Sequence, residues 1–197
     1  MTSRAIIVVW LVALSFAPFR LVEAQQPALR LNFTPESEKF NEATKQYQSI
    51  WEAEGRRIAE AMEQVSGLKF QETDIQVIVY EGVSHSGFGD RPMRLRASYP
   101  EGAKKATLVH ELGHRLNTQL RRRPKELDEH RVLFLYLYDV WTRLYGKSFA
   151  DEMVEVEKKR KGLYDYESAW VWALSLSEGE RAAKFKEVVR MNAGERG

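Results

Sequence analysis

The sequence contains no cysteine among its 197 residues. A disulfide framework, a thiolate metal site and a cysteine nucleophile are therefore all excluded. Any metal must bind to histidine, carboxylate or backbone oxygen, and any nucleophile must be a hydroxyl, an amine, a carboxylate or an activated water. Histidine is also scarce, with four in the chain. A clustered pattern of histidines is therefore informative.

Neither sign of charge dominates the chain. Thirty lysines and arginines against 28 aspartates and glutamates give a net charge of +2. This balance excludes nucleic-acid binding driven by bulk charge. Hydrophobic residues make up 44% of the sequence, which is enough to bury a core and excludes wholesale disorder. The length suits one domain of ordinary size.

Long hydrophobic runs are absent outside the N-terminus. Arg4 precedes an uncharged and mostly apolar run over 5–19. Residues of small or moderate size follow at 22–24, the positions that a signal peptidase would recognise. The run is shorter than the roughly 20 residues that span a bilayer as a helix. The pattern predicts a signal peptide over 1–24 and an exported domain, secreted or periplasmic, over 25–197. We expect no stable membrane insertion after cleavage, and an uncleaved N-terminal anchor is the alternative.

The first half of the chain predicts one long helix followed by two strands. After a partly extended leader over 25–33, Thr34 and the proline after it are typical of a helix start, and apolar residues recur at helical spacing over 35–66. The β-branched segment 75–80 predicts a strand. Alternation over 93–98 predicts an edge strand with one basic face.

Hydrophobic patterns predict helices throughout the second half of the chain. Leucines at every fourth position from Leu108 predict a helix that begins after Gly102. The segment 132–140 is apolar nearly all round, which predicts a buried helix that ends at Gly146. Three shorter helices are predicted near 148–161, 164–176 and 178–191. The fold class is therefore α+β and mainly helical: a single domain with a small sheet before its central helix.

The central helix carries a His-Glu-x-x-His pattern over residues 110–114. Residues four apart lie on one face of a helix, about 5–6 Å apart at Cβ. His110 and His114 can therefore bind one ion, and nitrogen donors suit Zn²⁺. Glu111 is rotated by about 100° from His110, so it is free to act as a general base on a water that zinc activates.

This motif, together with the strand before it and the helix after it, resembles the zincin superfamily of zinc metallopeptidases. The resemblance covers the motif and the coarse layout of 75–145. It implies that His110 and His114 bind zinc and that Glu111 is the catalytic base of peptide-bond hydrolysis. The extended metzincin pattern is absent, because Asn117 and Leu120 stand where a glycine and a third histidine are expected. The layout is closer to the gluzincin branch, whose third ligand comes from a later helix.

The third metal ligand is expected just beyond the motif, where Asp128, Glu129 and His130 begin the buried helix. His130 would complete a three-nitrogen site and is our choice. Glu129 is the alternative, since it would match the gluzincin ligand set, and a ligand elsewhere stays open. Glu126 stands one turn before His130 and could orient its second ring nitrogen.

Two further groups complete the predicted site. Tyr166 and Tyr164 are candidates to stabilise the oxyanion, as is Arg115 beside the motif. The resemblance implies that an extended peptide or protein substrate binds along the edge strand, where Arg94 and Arg96 would favour acidic segments.

Three function classes follow from these patterns. The leading one is an exported zinc metallopeptidase, with a peptide or protein as substrate and no nucleic-acid partner. A non-catalytic zinc-containing binding module on a zincin-like fold is the alternative. A metal-free helical interaction protein is the third.

Overall fold

The computed structural model describes residues 29–160 and 164–193. The described part is a mainly helical α+β fold with six α-helices and one three-stranded sheet, as the sequence predicts. The predicted signal peptide over 1–24 lies outside the described residues. Among those residues, no helix combines the length and the apolarity that crossing a membrane requires.

The sheet consists of three parallel strands in the order β1, β2, β3: Arg30–Pro35, Asp74–Tyr80 and Met93–Arg96. The predicted strands near 75–80 and 93–98 are confirmed. Every second residue of β2 is buried, which follows from the two-residue period of a strand. The sheet therefore packs one face against the helices.

The predicted start of the long helix is wrong. Thr34 and Pro35 belong to β1, where they pair with Ile78 and Val79 of β2. Pairing with a strand distant in sequence overrides the local helix-start signal. The helix α1 (Asn41–Ser66) begins only after a short 3-10 turn. Its predicted end is confirmed, since Gly67 follows it in the left-handed conformation.

Two helices meet at the centre of the molecule: α2 (Glu101–Leu116) and α3 (Glu129–Tyr145). They approach closely at Gly113, where an added Cβ would lie 2.4 Å from Cδ1 of Leu133. Gly113 therefore permits the close packing of these two helices. The helix α3 contacts α2, α1 and the three later helices, so its apolar circumference is buried as predicted.

Three helices complete the fold: α4 (Lys147–Lys158), α5 (Tyr166–Leu174) and α6 (Glu178–Ala193). They match the three shorter helices predicted from the sequence. Trp170 of α5 stacks on Phe134 of α3 with 3.8 Å between ring centroids. Arg181 of α6 forms a largely buried ion pair with Asp139 of α3. These contacts hold α5 and α6 against the central helix.

The outward edge of β3 is already occupied, which contradicts its expected role in substrate binding. The backbone N–H and C=O of Arg94 bond to the C=O and N–H of His85, at 2.8 and 3.0 Å. The N–H of Arg96 donates to Oγ of Ser84, and its C=O accepts from the hydroxyl of Tyr47. An extended peptide cannot add to this edge without displacing these groups.

The basic face of β3 is also neutralised. Arg94 forms an ion pair with Glu36, and its guanidinium lies 4.0 Å from the ring centroid of Tyr80. Arg96 forms an ion pair with Glu81. The two arginines already have acidic partners within the chain, so the expected preference for acidic substrate segments has no support.

Candidate metal centre

Two imidazoles of the candidate site lie on one face of α2. His110 is 1% exposed and His114 is partly buried, and their Nε2 atoms are 3.2 Å apart. Two nitrogens that each lie 2.0–2.1 Å from one tetrahedral zinc ion would be separated by about 3.4 Å. The helix therefore holds the pair close to the spacing that a shared metal ion requires.

The third imidazole comes from the first turn of α3. Asp128 caps this helix, because its side chain accepts a 2.8 Å hydrogen bond from the backbone N–H of Arg131. The cap starts the helix at Glu129 and turns His130 inward. The ring centroid of His130 lies 5.4 Å from that of His110 and 4.9 Å from that of His114.

These three histidines lie close enough to bind one metal ion. One ring nitrogen of each lies within 4.8 Å of the corresponding nitrogens of the others. Burial and the neighbouring His110 ring lower the pKa of His114 well below its usual range, and burial lowers that of His130 to about 3. Both rings are therefore neutral at pH 7, which is the form of imidazole that binds a metal.

Glu111 lies within the same turn of α2 and is 3% exposed. Its carboxylate makes no side-chain hydrogen bond to any residue in the described part of the chain. Burial raises the pKa of this carboxyl, although the neighbouring His110 and Arg160 oppose the shift. A carboxyl whose pKa is shifted by burial is typical of a functional site.

A second buried carboxylate, that of Glu157 on α4, lies next to the ring of His110. Its Oε1 lies 2.8 Å from Nδ1 of His110, although the ring N–H does not point straight at it, and its Oε2 accepts a 3.0 Å hydrogen bond from Nε1 of Trp170. Burial alone would raise the pKa of Glu157, but the neighbouring Arg160 and His110 bring it down to about 2. Glu157 is therefore an anion that can orient the His110 ring.

Sequence reasoning does not single out Glu157, because it lies in the charged run 155–161, and such a run is typical of an exposed helix face. The signal that could have found it is the helical spacing. Glu157 falls in line with the buried side chains of α4, which are Ala150, Met153 and Val154. A charged residue on the apolar face of a helix has to have a partner inside the protein. Its partners are His110 and Arg160, the latter at 3.3 Å.

The two candidate tyrosines lie beside the third imidazole. The ring centroid of His130 is 4.3 Å from that of Tyr164 and 4.6 Å from that of Tyr166. Tyr164 is 43% exposed, whereas Tyr166 is partly buried and its ring faces Arg160. Burial raises the pKa of Tyr166 to about 12, so its hydroxyl keeps its proton at neutral pH. Both tyrosines are thus within the candidate site.

Other predicted site residues lie elsewhere. Glu129 points to solvent, with 46% of its side chain exposed, and lies 3.9 Å from Arg123. Glu126 is exposed as well, and Nδ1 of His130 has no hydrogen-bond partner among the described residues. The expected orientation of His130 by Glu126 is therefore wrong. Glu129 directly precedes His130 on α3. Because successive helix residues point about 100° apart, its side chain does not follow that of His130 towards the other two histidines.

Arg115 is also turned away from the predicted oxyanion position. Its guanidinium bonds to the backbone of the loop 84–92 and to Glu72. These bonds satisfy its charge, so its role in the fold is to hold that loop. The fourth histidine, His85, belongs to the same loop and is exposed.

No family model, curated protein or solved structure matches this chain. The comparisons therefore supply no activity.

Proposed function

We propose that this protein is an exported zinc metallopeptidase of the zincin type. The observation that carries the proposal is the convergence of His110, His114 and His130, with the buried carboxylate of Glu111 in the same helical turn. Three imidazoles and one adjacent carboxylate are the donor set of a hydrolytic zinc site. The exported location remains a prediction from residues 1–24.

Zinc fits this donor set better than a harder cation does. Three nitrogen donors suit a borderline-soft ion, whereas magnesium and calcium prefer oxygen ligands. His110, His114 and His130 would hold the ion, and Glu157 would orient the first of them. When bound, zinc would supply a Lewis acid that polarises the scissile carbonyl and acidifies a water molecule.

Side chains of the protein would perform the proton transfers and stabilise the oxyanion. The carboxylate of Glu111 accepts the proton of the attacking water and then donates it to the leaving amine. The hydroxyl of Tyr166 or of Tyr164 can donate a hydrogen bond to the oxyanion, since the pKa of Tyr166 keeps it protonated. The buried surroundings of Glu111 strengthen these interactions, because the local dielectric constant is low.

The test combines metal analysis with one variant. Purified mature protein is expected to contain one zinc per chain by elemental analysis. Glu111→Gln is expected to keep the zinc and to lose about 10²- to 10⁴-fold in the rate of cleavage of a peptide library. Glu101→Gln is the matched control, because Glu101 is an exposed glutamate at the start of the same helix. Absence of zinc, or cleavage that does not depend on Glu111, would contradict the proposal.

A zinc-containing binding module without activity is the second candidate. The observation that favours it is the occupied edge of β3, which leaves no room there for an extended peptide. The same library decides between the two candidates. Zinc without any Glu111-dependent cleavage would favour the binding module.

A further inference from the structure

Arg160 is a largely buried cation that no step of the proposed hydrolysis uses. It lies just beyond the end of α4, where its backbone N–H donates a 2.9 Å hydrogen bond to the backbone C=O of Glu157. Its side chain is 18% exposed. A guanidinium that is removed from water to this extent has to have partners inside the protein.

The partners of this guanidinium belong to two further helices. Its Nη2 donates a 3.0 Å hydrogen bond to Oγ1 of Thr107, which is fully buried on α2 one turn before Glu111. Its Cζ lies 5.7 Å from the ring centroid of Tyr166 on α5, a distance at which a cation and an aromatic ring attract each other. Arg160 is therefore fixed between α2, α4 and α5, beside the candidate metal centre.

The same Nη2 atom also contacts the carboxylate that lies next to His110. It is 3.3 Å from Oε1 of Glu157, and this is the oxygen that lies 2.8 Å from Nδ1 of His110. Neither contact is an aligned hydrogen bond, so the attraction between Arg160 and Glu157 is mainly one between charges. Oε1 is thus held between a guanidinium and the imidazole of a candidate metal ligand.

The position of Glu157 requires a positive charge beside it. Its side chain is 1% exposed, and a buried carboxylate that loses its counter-charge is strongly destabilised. His110 does not supply this charge when it binds a metal, because a metal-bound imidazole is neutral. Trp170, which donates to Oε2, is neutral as well. The charge that balances Glu157 in the metal-bound state is therefore that of Arg160.

We infer that Arg160 is a positioning residue of the metal centre, which holds the carboxylate of Glu157 against His110 and through it orients the first metal ligand. The inference rests on the proposed function in one respect, because it takes His110 to bind zinc. It does not require that a peptide is cleaved.

The test is a double-mutant cycle on zinc affinity, measured on the whole protein by competition with a chelator. Arg160→Met removes the charge and keeps an apolar stem, and we expect it to weaken zinc binding by about tenfold, as loss of a group that supports a ligand typically does. In the Glu157→Gln background the same substitution is expected to change the affinity by less than about twofold, because the residue through which it acts is already altered. Arg160→Lys restores the charge and is expected to recover part of the loss.

Lys159→Met is the matched control, because Lys159 is the adjacent cation and is exposed. It should leave zinc affinity unchanged in both backgrounds. Thr107→Val is a second route to the same test if Arg160→Met does not fold. It removes the hydroxyl that holds Nη2 while both charges stay, and we expect a loss of about threefold that is absent in the Glu157→Gln background.

The outcomes separate this inference from the proposed function. If Arg160→Met has no effect, or lowers zinc affinity by the same factor in both backgrounds, Arg160 does not act through Glu157 and the inference is wrong, while the metal centre stands. If the effect depends on Glu157 but no peptide is cleaved, the inference stands and the peptidase proposal fails. If the unaltered protein binds no zinc, both are overturned.

Discussion

Nδ1 of His110 lies 2.8 Å from Oε1 of Glu157, and each side chain is only 1% exposed. The contact joins α2, which carries the first two candidate ligands, to α4. A carboxylate at this position fixes the orientation of the imidazole ring and increases the basicity of its other nitrogen. The geometry of the metal centre therefore depends on a helix that supplies no ligand.

Glu157→Gln is expected to lower zinc affinity by about 10- to 100-fold, because a neutral amide orients and polarises His110 less than a carboxylate does. Zinc affinity would be measured by competition with a chelator. Glu155→Gln is the control, since Glu155 lies on the same helix with a side chain that is 62% exposed. Equal zinc affinities in the two variants would show that Glu157 does not support the site.

The third ligand can be tested by two adjacent substitutions. His130→Ala is expected to weaken zinc binding by much more than 100-fold, because it removes a metal ligand. Loss of a residue that only orients a ligand typically costs about 10- to 100-fold. Glu129→Ala should leave the affinity within about twofold, because that side chain points to solvent. If Glu129→Ala is instead the variant that loses zinc, the ligand set is wrong.

Gly113→Ala is expected to destabilise the fold by about 1–3 kcal/mol, because its Cβ would lie 2.4 Å from Leu133 and would push α2 and α3 apart. Urea unfolding of the metal-free protein measures this effect. Gly102→Ala on the same helix is the control, since its Cβ would meet only ordinary contacts at 3.7 Å or more. We expect that variant to be unchanged or more stable by up to about 1 kcal/mol. Similar losses in both variants would contradict the close-packing role of Gly113.

Removal of the metal should lower the melting temperature. A ligand that binds only the folded state stabilises it by about 2.7 kcal/mol when its free concentration is 100 times Kd. For a chain of this size, this corresponds to a shift of about 5–10 °C. The shift with added zinc would be measured by thermal unfolding after treatment with a chelator. His114→Ala should abolish it and His85→Ala should retain it, so a shift that persists in His114→Ala would place the zinc elsewhere.

Local patterns predicted much of the fold and the first part of the site. The spacing of His110, Glu111 and His114 places them on one helical turn, because the helix period is a local property of the backbone. The apolar run over 132–140 predicted the buried helix that carries His130. The start of α1 could not be predicted in the same way, because Thr34 and Pro35 pair with β2, which lies far along the chain.

The amino-acid sequence by itself determined which side chains could bind a metal, because cysteine is absent and the two central histidines are one helical turn apart. Only the tertiary structure decided that His130 rather than Glu129 faces that pair, that Glu157 stands behind His110, and that Arg115 holds a loop. The physical reason is that helical periodicity is encoded within a few residues, whereas burial and charge pairing between helices depend on how distant segments pack.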